Sequence, residues 1–419
     1  MKMLVLGIRC GAYALVMCGW MAAVRAQDSA PAIWKRHAID AADNAVGKRG
    51  ADGVRLGFAD ADSLPDVVTG WEDGDAIRVC FNPGPEGSKG PWEGITVGHV
   101  AGAEDAVFAD LDANGVLDVV SCTEGKTRTV FVHWAPHPAA EYADESAWKT
   151  EAFPALKGKQ MWMYCLPCDA NGDGREDLIL GSKNAGATVG WLEQPSENPR
   201  DLSRWKYHPL YEAGWIMSIR AEDLDGDGDR DVIFSDRKGK STGVWWLENV
   251  GQGNGESGSV FAAPRRLGLA EKEVMFIDIA DVNGDDRLDI AAAIKPDEIA
   301  FLFQPEGKAS ESWKVGFLAG GLDLKRFGTA KAVRVADLDL DGNLDAAITC
   351  ENAKGALSGC LYAPIEFDRP VTLHDLGGPE GVKFDRIELI DLDGDGDLDL
   401  MTCEERDNLG VFWYENPSR

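Results

Sequence analysis

Short apolar runs alternate with polar turns along most of this chain, and the unit that follows Ala103 shows the arrangement clearly. Residues 106–109, 119–121, 129–134 and 148–153 are mainly apolar, and polar or glycine-containing segments separate them. Runs of this length, bounded by turn residues, predict β-strands. Four such strands in succession predict one antiparallel sheet, and the pattern predicts no long helix.

The third and fourth strand patterns of this unit recur elsewhere, and each recurrence carries tryptophan. They return at residues 189–195, 244–249, 411–417, 34–39, 205–210 and 313–317. Packing within and between sheets is the first interpretation of these aromatic side chains. A stacking platform for sugars is the alternative.

An aspartate-rich loop of nine residues separates the first two strands of each unit. Residues 223–231, which read Asp-Leu-Asp-Gly-Asp-Gly-Asp-Arg-Asp, are the clearest copy, and residues 60–66 are a seventh, shortened copy. The interval between copies is 52 to 59 residues, and such a period with several strands per copy is typical of a propeller. The last aspartates of the copies are Asp66, Asp118, Asp177, Asp231, Asp289, Asp345 and Asp399.

Seven copies predict an all-β fold, a seven-bladed β-propeller with four antiparallel strands per blade. The last unit stops after its third strand, whereas residues 34–40 form a fourth-type strand that precedes every other unit. We expect this N-terminal strand to complete the last blade and close the ring, which leaves no open sheet edge. One propeller domain of residues 31–419 follows from this arrangement.

Charge and the N-terminal segment bear on location and partners. The chain has 419 residues and a formal net charge of −29, so we expect no nucleic-acid partner. Residues 1–26 combine basic residues, an apolar run and a small-residue site, which predicts a signal peptide cleaved near Ala26. The mature protein is then secreted, periplasmic or on the cell surface, with a retained anchor as the alternative. We expect no membrane span in the mature chain.

Seven cysteines remain in the mature chain, an odd number that leaves at least one of them unpaired within the chain. Cys165 and Cys168 have the spacing of a redox motif, and a local disulfide or two packed thiols are the alternatives to redox chemistry. Cys350 and Cys360 are candidates for a bridge across a hairpin.

The aspartate loops have the composition of calcium sites. Calcium takes six to eight oxygen ligands at about 2.3–2.6 Å and tolerates irregular geometry. Side chains at loop positions 1, 3, 5 and 9 and the main-chain oxygen at position 7 supply most of them. Glycine at position 6 eases the tight turn in five copies, and Asp286 replaces it in the sixth. Magnesium, which prefers stricter octahedral sites, and transition metals, which prefer histidine or cysteine, fit less well.

Six loops are intact, so the sequence predicts about six calcium ions. The shortened copy, residues 60–66, contains Pro65, and we predict that it binds no ion. The predicted ligands are Asp110, Asp112, Asn114, Val116, Asp118, Asp169, Asn171, Asp173, Arg175, Asp177, Asp223, Asp225, Asp227, Asp229, Asp231, Asp281, Asn283, Asp285, Arg287, Asp289, Asp337, Asp339, Asp341, Asn343, Asp345, Asp391, Asp393, Asp395, Asp397 and Asp399.

The loops, their period and the four-strand units resemble the FG-GAP or VCBS repeat family, which includes the propeller of integrin α-chains. The resemblance covers essentially the whole mature chain and implies a calcium-binding propeller. It does not fix a function, because the family spans adhesion receptors, lectins and sugar-active enzymes. The tryptophan-containing strands are also similar to the propeller part of aldos-2-ulose dehydratases.

The resemblance implies that ligands bind on the face opposite the aspartate loops, where second strands turn into third strands. Cations in three neighbouring blades and carboxylates in the other four predict a basic arc and an acidic arc around the channel mouth. These charged positions, six residues beyond each last aspartate, are Glu72, Glu124, Lys183, Arg237, Lys295, Glu351 and Glu405. Trp162, Trp215 and Asp105 lie near the starts of first strands and are further candidates. Ordinary solvated turns and packed tryptophans are the alternative.

Three functions fit these patterns. The first is a binding module for a glycan or an extracellular protein, which we expect to be a monomer. The second is a sugar-active enzyme, such as a polysaccharide lyase or a sugar dehydratase. In that enzyme Lys183, Arg237 and Lys295 would hold an anionic sugar while a carboxylate acts as base. The third is a purely structural surface protein.

Overall fold

The structure is a computed structural model that describes residues 33–41, 50–60, 62–137, 139–251, 255 and 260–419. These residues belong to one compact unit, Ile33–Arg419. They form seven sheets of four antiparallel strands each, which are the blades of a β-propeller. The predicted signal peptide, residues 1–26, lies outside the described residues and stays a prediction.

Strand β1 (Lys35–Asp40) opens the described chain, and blades 1 to 4 then follow in sequence. Blade 1 consists of β2 (Ala51–Gly57), β3 (Asp66–Trp71), β4 (Ala76–Phe81) and β5 (Glu93–Gly98). Blade 2 consists of β6 (Ala103–Ala109), β7 (Asp118–Thr123), β8 (Val130–Trp134) and β9 (Lys149–Ala152). Blade 3 consists of β10 (Met161–Cys168), β11 (Asp177–Lys183), β12 (Thr188–Glu193) and β13 (Lys206–Glu212). Blade 4 consists of β14 (Ile216–Glu222), β15 (Asp231–Asp236), β16 (Gly243–Leu247) and β17 (Arg265–Gly268).

Blades 5 to 7 complete the ring. Blade 5 consists of β18 (Val274–Ala280), β19 (Asp289–Ile294), β20 (Glu298–Phe303) and β21 (Lys314–Phe317). Blade 6 consists of β22 (Thr329–Ala336), β23 (Asp345–Glu351), β24 (Cys360–Pro364) and β25 (His374–Asp375). Blade 7 consists of β26 (Glu388–Ile390), β27 (Asp399–Glu404), β28 (Gly410–Glu415) and β1, which pairs antiparallel with β28. The fold class and the closing role of the N-terminal strand are therefore confirmed.

Helical structure is confined to three single turns within the described residues. These 3-10 helices span Ala139–Glu141, Glu145–Ala147 and Leu202–Arg204, in the loops before the fourth strands of blades 2 and 3. In the part of the chain that the structure describes, no helix is long and apolar enough to cross a membrane.

The hydrophobic core lies between neighbouring blades. Between blades 2 and 3, for example, Trp134 and Phe153 pack with Trp162 and Leu180, all of them buried. The six recurring tryptophans of the third and fourth strands are buried, which supports packing over an exposed sugar platform: Trp34, Trp191, Trp205, Trp246, Trp313 and Trp413. Because such contacts also join blade 7 to blade 1, the closed ring is held by side-chain packing as well as by strand pairing.

The cysteines of the described residues are buried free thiols. Cys165 and Cys168 are thus two packed thiols, which was one of the alternatives to redox chemistry, and they do not form a local disulfide. The bridge considered between Cys350 and Cys360 is not present.

The last aspartate of each loop fastens the two ends of its blade. In blade 1 the carboxylate of Asp66 accepts hydrogen bonds from the backbone N–H of Ala59 at 2.8 Å and of Asn82 at 2.9 Å. The equivalent carboxylates of blades 2, 4, 5 and 7 bridge the loop start and the end of the third strand in the same way. Since hydrogen bonds to a buried carboxylate are strong, this residue is structural even where the loop is shortened.

A second fastening joins neighbouring blades and explains the amide that follows Trp-x-Glu in the third-strand pattern. Asn416 of blade 7 donates from Nδ2 to the backbone oxygen of Leu338 in blade 6 at 2.8 Å. Asn249 of blade 4 reaches Ala170 of blade 3 at 3.0 Å in the same way. Each of these amides therefore holds the aspartate loop of the preceding blade in place.

Candidate functional site

A cavity of about 330 Å³ opens at the centre of the ring, on the face opposite the aspartate loops. Charged side chains line most of it, and Tyr164, Trp215 and Phe276 supply aromatic surface. Its volume lies at the lower end of the range of small-molecule sites, about 300–1,000 Å³. The cavity therefore suits a small polar ligand or one unit of a larger one.

An irregularity at the same height in the inner strands shapes this cavity. The register of β6, β10, β14, β18 and β22 shifts near the cavity end of each strand, at a β-bulge. The residues at these shifts line the cavity: Glu104, Met163, Met217, Phe276 and Lys331. Bulges redirect side chains and are frequent beside functional sites. Periodicity read from the sequence does not reveal a bulge, so the sequence interpretation missed these residues.

The structure brings most of the predicted ligand residues to the cavity. Glu72, Glu124, Lys183, Arg237, Glu351, Glu405, Asp105 and Trp215 line it. Lys295 lies just behind the wall, where it forms an ion pair with Glu351. Trp162 is fully buried and packs edge-to-face on Tyr207 with 5.6 Å between ring centroids, so it faces no ligand space here.

The predicted basic and acidic arcs are interleaved rather than separate. Lys183 contacts Glu104 at 3.2 Å and also pairs with Glu124. Arg237 contacts Glu273 at 2.6 Å. Because each cation has a carboxylate partner, the rim is a network of ion pairs instead of two opposed arcs.

Trp215 is the centre of the positive part of this network. Lys183, Arg237 and Lys238 lie over its ring, with 4.7, 4.7 and 4.3 Å to the ring centroid. The indole N–H of Trp215 is buried without a hydrogen-bond partner. An aromatic face ringed by cations offers both stacking and charge to a ligand at the cavity wall.

Two carboxyl groups meet at the floor of the cavity. Asp52 and Asp385 are 6% and 4% exposed, and each carboxyl group displaces the pKa of the other. Lys331 lies beside them, with its Nζ 3.8 Å from Oδ1 of Asp385 and 3.7 Å from Oε2 of Glu351. Two adjacent buried carboxyl groups cannot both ionise without penalty, so the pair holds one proton between them.

The floor groups have displaced pKa values for identifiable reasons. Burial and the neighbouring charge of Asp385 hold the pKa of Asp52 well above its usual range. Burial acts on Asp385 too, but Lys331, the neighbouring Asp52 and Lys383 outweigh it and lower the pKa of Asp385 to about 2. Burial lowers the pKa of Lys331, against the opposing charge of Asp385. The shared proton therefore resides on Asp52.

From the floor downward, a series of alternating charges crosses the channel, and its members Asp105 and Arg386 line the cavity. Arg55 donates to Asp105 at 2.8 Å, and Arg386 lies 3.8 Å from the other oxygen of Asp105. Arg386 also donates to the hydroxyl of Tyr164 at 3.3 Å, while its Nε has no hydrogen-bond partner. The series contains Arg55, Asp105, Arg386, Glu388, Arg334, Asp278 and Arg220. It fixes the floor side chains from beneath.

The aspartate loops on the opposite face group carboxylates with one another, as Asp52, Glu72 and Glu104 are also grouped in the cavity. In four loops, three carboxylates bring oxygens within 4.8 Å of one another, a spacing that could hold one metal ion. Among the described loop residues these groups are Asp110, Asp112 and Asp118; Asp223, Asp225 and Asp227; Asp337, Asp339 and Asp345; and Asp391, Asp393 and Asp399.

Buried carboxylate oxygens without a hydrogen-bond partner mark most of these loops. They belong to Asp112, Asp177, Asp229, Asp337 and Asp397. A buried carboxylate oxygen left unpaired costs free energy, and a bound cation would satisfy it. The residues present therefore fit a hard divalent cation. Asp229 and Asp397 stand at loop position 7, so a side-chain oxygen is available where the sequence assigned only the main-chain oxygen.

Two intact loops depart from this arrangement: position 3 is asparagine (Asn171 and Asn283), so that position supplies no carboxylate, and position 7 is arginine. Arg175 forms an ion pair with Asp173, and Arg287 forms one with Asp285. Within the described residues, neither loop gathers three carboxylates at the spacing of the other four. In each of these loops the guanidinium thus pairs with the position 5 carboxylate, which the sequence analysis predicted to be an ion ligand.

The backbone of the loops bears out the requirement at position 6. Gly228 and Gly342 have φ of 99° and 89°, in the left-handed region that glycine enters freely. Asp286, which replaces glycine in the fifth-blade loop, adopts the same region with φ of 62°. Aspartate tolerates this conformation better than most residues do, so the loop keeps its shape.

Fold and loops together define the class: a seven-bladed β-propeller with carboxylate loops on one face and a charged cavity on the other. The family model for FG-GAP-like repeats matches residues 169–234 and 223–292. Residues 169–292 thus carry FG-GAP-like repeats, and the resemblance inferred from the sequence is confirmed. No curated protein matches the chain.

Solved structures with the same architecture are distant in sequence. BBS1N in complex with ARL6DN, soaked with lead, has a TM-score of 0.52 and 9% identity, covering 92% of this chain and 98% of that chain. The mercury-soaked form has a TM-score of 0.52 and 12% identity over the same shares. The V. cholerae biofilm matrix protein Bap1 has a TM-score of 0.39 and 11% identity, covering 93% of this chain and 91% of that chain. The BBS1N likeness shows a shared fold.

Proposed function

We propose that this protein is a secreted, calcium-stabilised binding module that takes an acidic glycan unit in its central cavity. The observation that carries the proposal is the small cavity lined by charged side chains, with Trp215 ringed by three cations on its wall. Sugars present both hydroxyl groups and apolar ring faces, so charged donors beside an aromatic ring suit them. The cations around Trp215 favour a sugar that carries a carboxylate or a sulfate.

Calcium is the ion we infer for the aspartate loops. The support is the set of unpaired, buried carboxylate oxygens together with oxygen-only ligands and irregular geometry. Secretion is supported by the basic, apolar and small-residue pattern of residues 1–26. Both features fit a binding module outside the cytoplasm, where calcium is plentiful.

The test of glycan binding replaces Trp215 by alanine and measures retention on immobilised acidic polysaccharides. We expect binding at least about tenfold weaker, because a central aromatic contact typically contributes about 2 kcal/mol. Trp245→Ala is the matched control, since Trp245 is also partly exposed beside an arginine but does not line the cavity. Equal retention of the wild-type protein and of Trp215→Ala would contradict the proposal that the glycan binds in the cavity.

A protein partner is the second candidate, and an exposed apolar surface on blade 5 favours it. Val315 and Phe317, on one face of β21, are 36% and 38% exposed. Apolar groups exposed together are typical of protein contacts. BBS1N, which shares the fold, was solved in complex with ARL6DN. Retention that survives Trp215→Ala but falls in Phe317→Ser with a protein ligand would favour this second candidate.

A further inference from the structure

We propose that the cavity floor is a catalytic acid–base centre for β-elimination from an acidic sugar, in which Lys331 is the base, Asp52 is the acid and Arg386 binds the carboxylate. The proposal rests on the proposed function, since it requires an acidic glycan in the central cavity. It adds an activity to a site that binding alone would not explain.

The placement of the three groups is the first argument. Asp52, Lys331 and Arg386 all line the cavity, yet they are only 6%, 5% and 5% exposed. Lys331 stands at the bulge of β22, which turns it from the sheet into the cavity. A binding surface for an extended polymer does not require buried ionisable groups, whose desolvation costs free energy. Such groups cluster at sites where proton transfer is catalysed.

Arg386 is the anchor for a carboxylate. Its guanidinium contacts Asp105 and Glu388 only at 3.8 and 3.6 Å, and its Nε lacks a hydrogen-bond partner. An arginine with unused donors in a buried site is suited to a planar carboxylate, which accepts two parallel hydrogen bonds. Charge neutralisation by the guanidinium makes the hydrogen on the adjacent carbon of a uronate more acidic.

The cavity floor supplies both a proton donor and a proton acceptor, which an elimination requires. The pair of Asp52 and Asp385 holds one proton, which Asp52 can donate. Lys331 is held toward its neutral form by burial and by the nearby charges of Lys383 and Arg237, so it can accept a proton. Asp385, Glu351 and Asp52 face Lys331 with the opposite effect. An acid and a base therefore stand side by side at the cavity floor.

The reaction balances within these groups. Lys331 takes the proton from the carbon next to the carboxylate, and the electrons of that C–H bond form a carbon–carbon double bond. The bond from the neighbouring carbon to the glycosidic oxygen breaks, and Asp52 gives its proton to the leaving oxygen. Lys331 is then an ammonium 3.8 Å from the ionised Asp385, so the proton can return to the carboxyl pair and reset the site.

The carboxyl pair does not have the geometry of a glycoside hydrolase. Those enzymes separate their two carboxyl groups by about 5–5.5 Å or about 6.5–9.5 Å, to hold the sugar or an added water between them. Asp52 and Asp385 instead lie close enough for each carboxyl group to displace the pKa of the other. They act as one proton-holding unit, which favours elimination over hydrolysis.

The experiment follows retention and product together. The calcium-loaded protein is incubated with oligogalacturonate, alginate oligosaccharides and hyaluronan oligosaccharides, and ultraviolet absorbance and product mass are recorded. We expect at least one probe to give unsaturated products, which are lighter by one water than the products of hydrolysis. Lys331→Met, Lys331→Arg and Asp52→Asn should each lower kcat by about a hundredfold or more, with little change in KM.

Controls separate chemistry from folding and from binding. Lys126→Met changes an exposed lysine on a turn and should leave kcat unchanged. Lys331→Arg keeps the positive charge, so a purely electrostatic role would leave most of the activity, and thermal unfolding checks that each variant is folded. Retention without unsaturated product in the wild-type protein would overturn this proposal and leave the binding function standing. Absence of both retention and product would overturn both, and full activity in Lys331→Arg or Asp52→Asn would overturn the assigned roles.

Discussion

Both faces of the propeller are rich in aspartate and glutamate, but the surroundings of these carboxylates differ between the two faces. On the loop face, carboxylates lie beside other carboxylates, and five loops hold buried oxygens without a hydrogen-bond partner. On the cavity face, Lys183 pairs with Glu104 and Glu124, and Lys383 pairs with Glu405. The loop face therefore leaves carboxylate oxygens available to a cation from solution, whereas the cavity face pairs most of its carboxylates with cations of the chain.

This difference suggests that one face contributes mainly to stability and the other to ligand recognition. A bound ion ties together the ends of one loop, so the loop face governs stability and depends on the solvent composition. Charged side chains already paired in a cavity are held in place before a ligand arrives, so we expect the cavity face to govern ligand recognition. Perturbing one face should leave the property of the other intact, and four predictions follow from this separation.

The largest expected effect is that of removing divalent ions. Chelation should lower the free energy of unfolding by about 3 kcal/mol for each site that was held at a hundred times its Kd. Calorimetry with calcium, with a chelator, and with calcium restored measures this directly. An unfolding temperature that does not respond to the chelator would contradict the assignment of the loops.

Asp66→Ala should destabilise the protein by about 3 kcal/mol, because it leaves buried backbone N–H groups of Ala59 and Asn82 without an acceptor. Asp66 belongs to the shortened loop that we predict to bind no ion, so the loss should be equal with and without calcium. Chemical unfolding in both conditions measures it.

Asp227→Ala is the matched comparison, since Asp227 is exposed in a loop whose carboxylates form a group. Its effect should be present with calcium and vanish in chelator, where the wild-type protein has lost the same ion. A calcium-dependent loss in Asp66→Ala, or a calcium-independent loss in Asp227→Ala, would break the distinction between the two roles.

The cavity face should show its own pH dependence. Burial and Asp385 raise the folded-state pKa of Asp52, so its stabilising contribution is complete below the unfolded pKa of about 3.9 and declines as pH rises toward the folded value. Asp52→Asn should flatten this decline, by at most about 1.4 kcal/mol per pH unit. Lys383 and Glu104 also face Asp52 and partly offset each other. Urea unfolding between about pH 5 and pH 8 tests it, and parallel slopes in the two proteins would contradict it.

The blades and loops were predictable because their signals are local and periodic. Three features can be recognised from the sequence alone: the aspartates at fixed spacing, the short apolar runs and the unpartnered strand pattern at residues 34–40. The ring closure by β1 follows from counting strands, since a propeller with an unpaired edge is unfavourable. The role of the last aspartate was only half predicted, because its hydrogen bonds to the end of the third strand join positions 15 to 18 residues away.

The cavity floor was not predictable in the same way. Lys331 and Glu104 reach the cavity only because bulges shift the register of β22 and β6, and a bulge leaves no periodic signal. Asp52 and Asp385 come from blades at opposite ends of the chain, which meet when the ring closes. The pairing of Lys183 with Glu104 likewise joins two blades, and turn positions alone did not reveal it.

The smallest expected effect compares loops within one face. In the blade 3 loop, Arg175 at position 7 pairs with Asp173 and so competes with a cation for that carboxylate. Arg175→Asn should remove the competitor and tighten ion binding at that loop by about fivefold, close to 1 kcal/mol, which is the scale of a partly exposed ion pair. Asn343 already stands at position 7 in the blade 6 loop, so the variant copies a sequence the protein uses.

Calcium titration calorimetry of the wild-type protein, Arg175→Asn and Arg287→Asn provides the measurement. Because four loops gather carboxylates and two are occupied by arginine, we expect a tight and a weaker class of sites in the wild-type protein. Each substitution should move one site from the weaker class to the tighter one, while retention of acidic polysaccharide at the cavity stays unchanged. Six sites of equal affinity in the wild-type protein would show that arginine at position 7 does not weaken ion binding. The two faces would then still differ in how their carboxylates are neutralised, but the loops of the loop face would not differ among themselves.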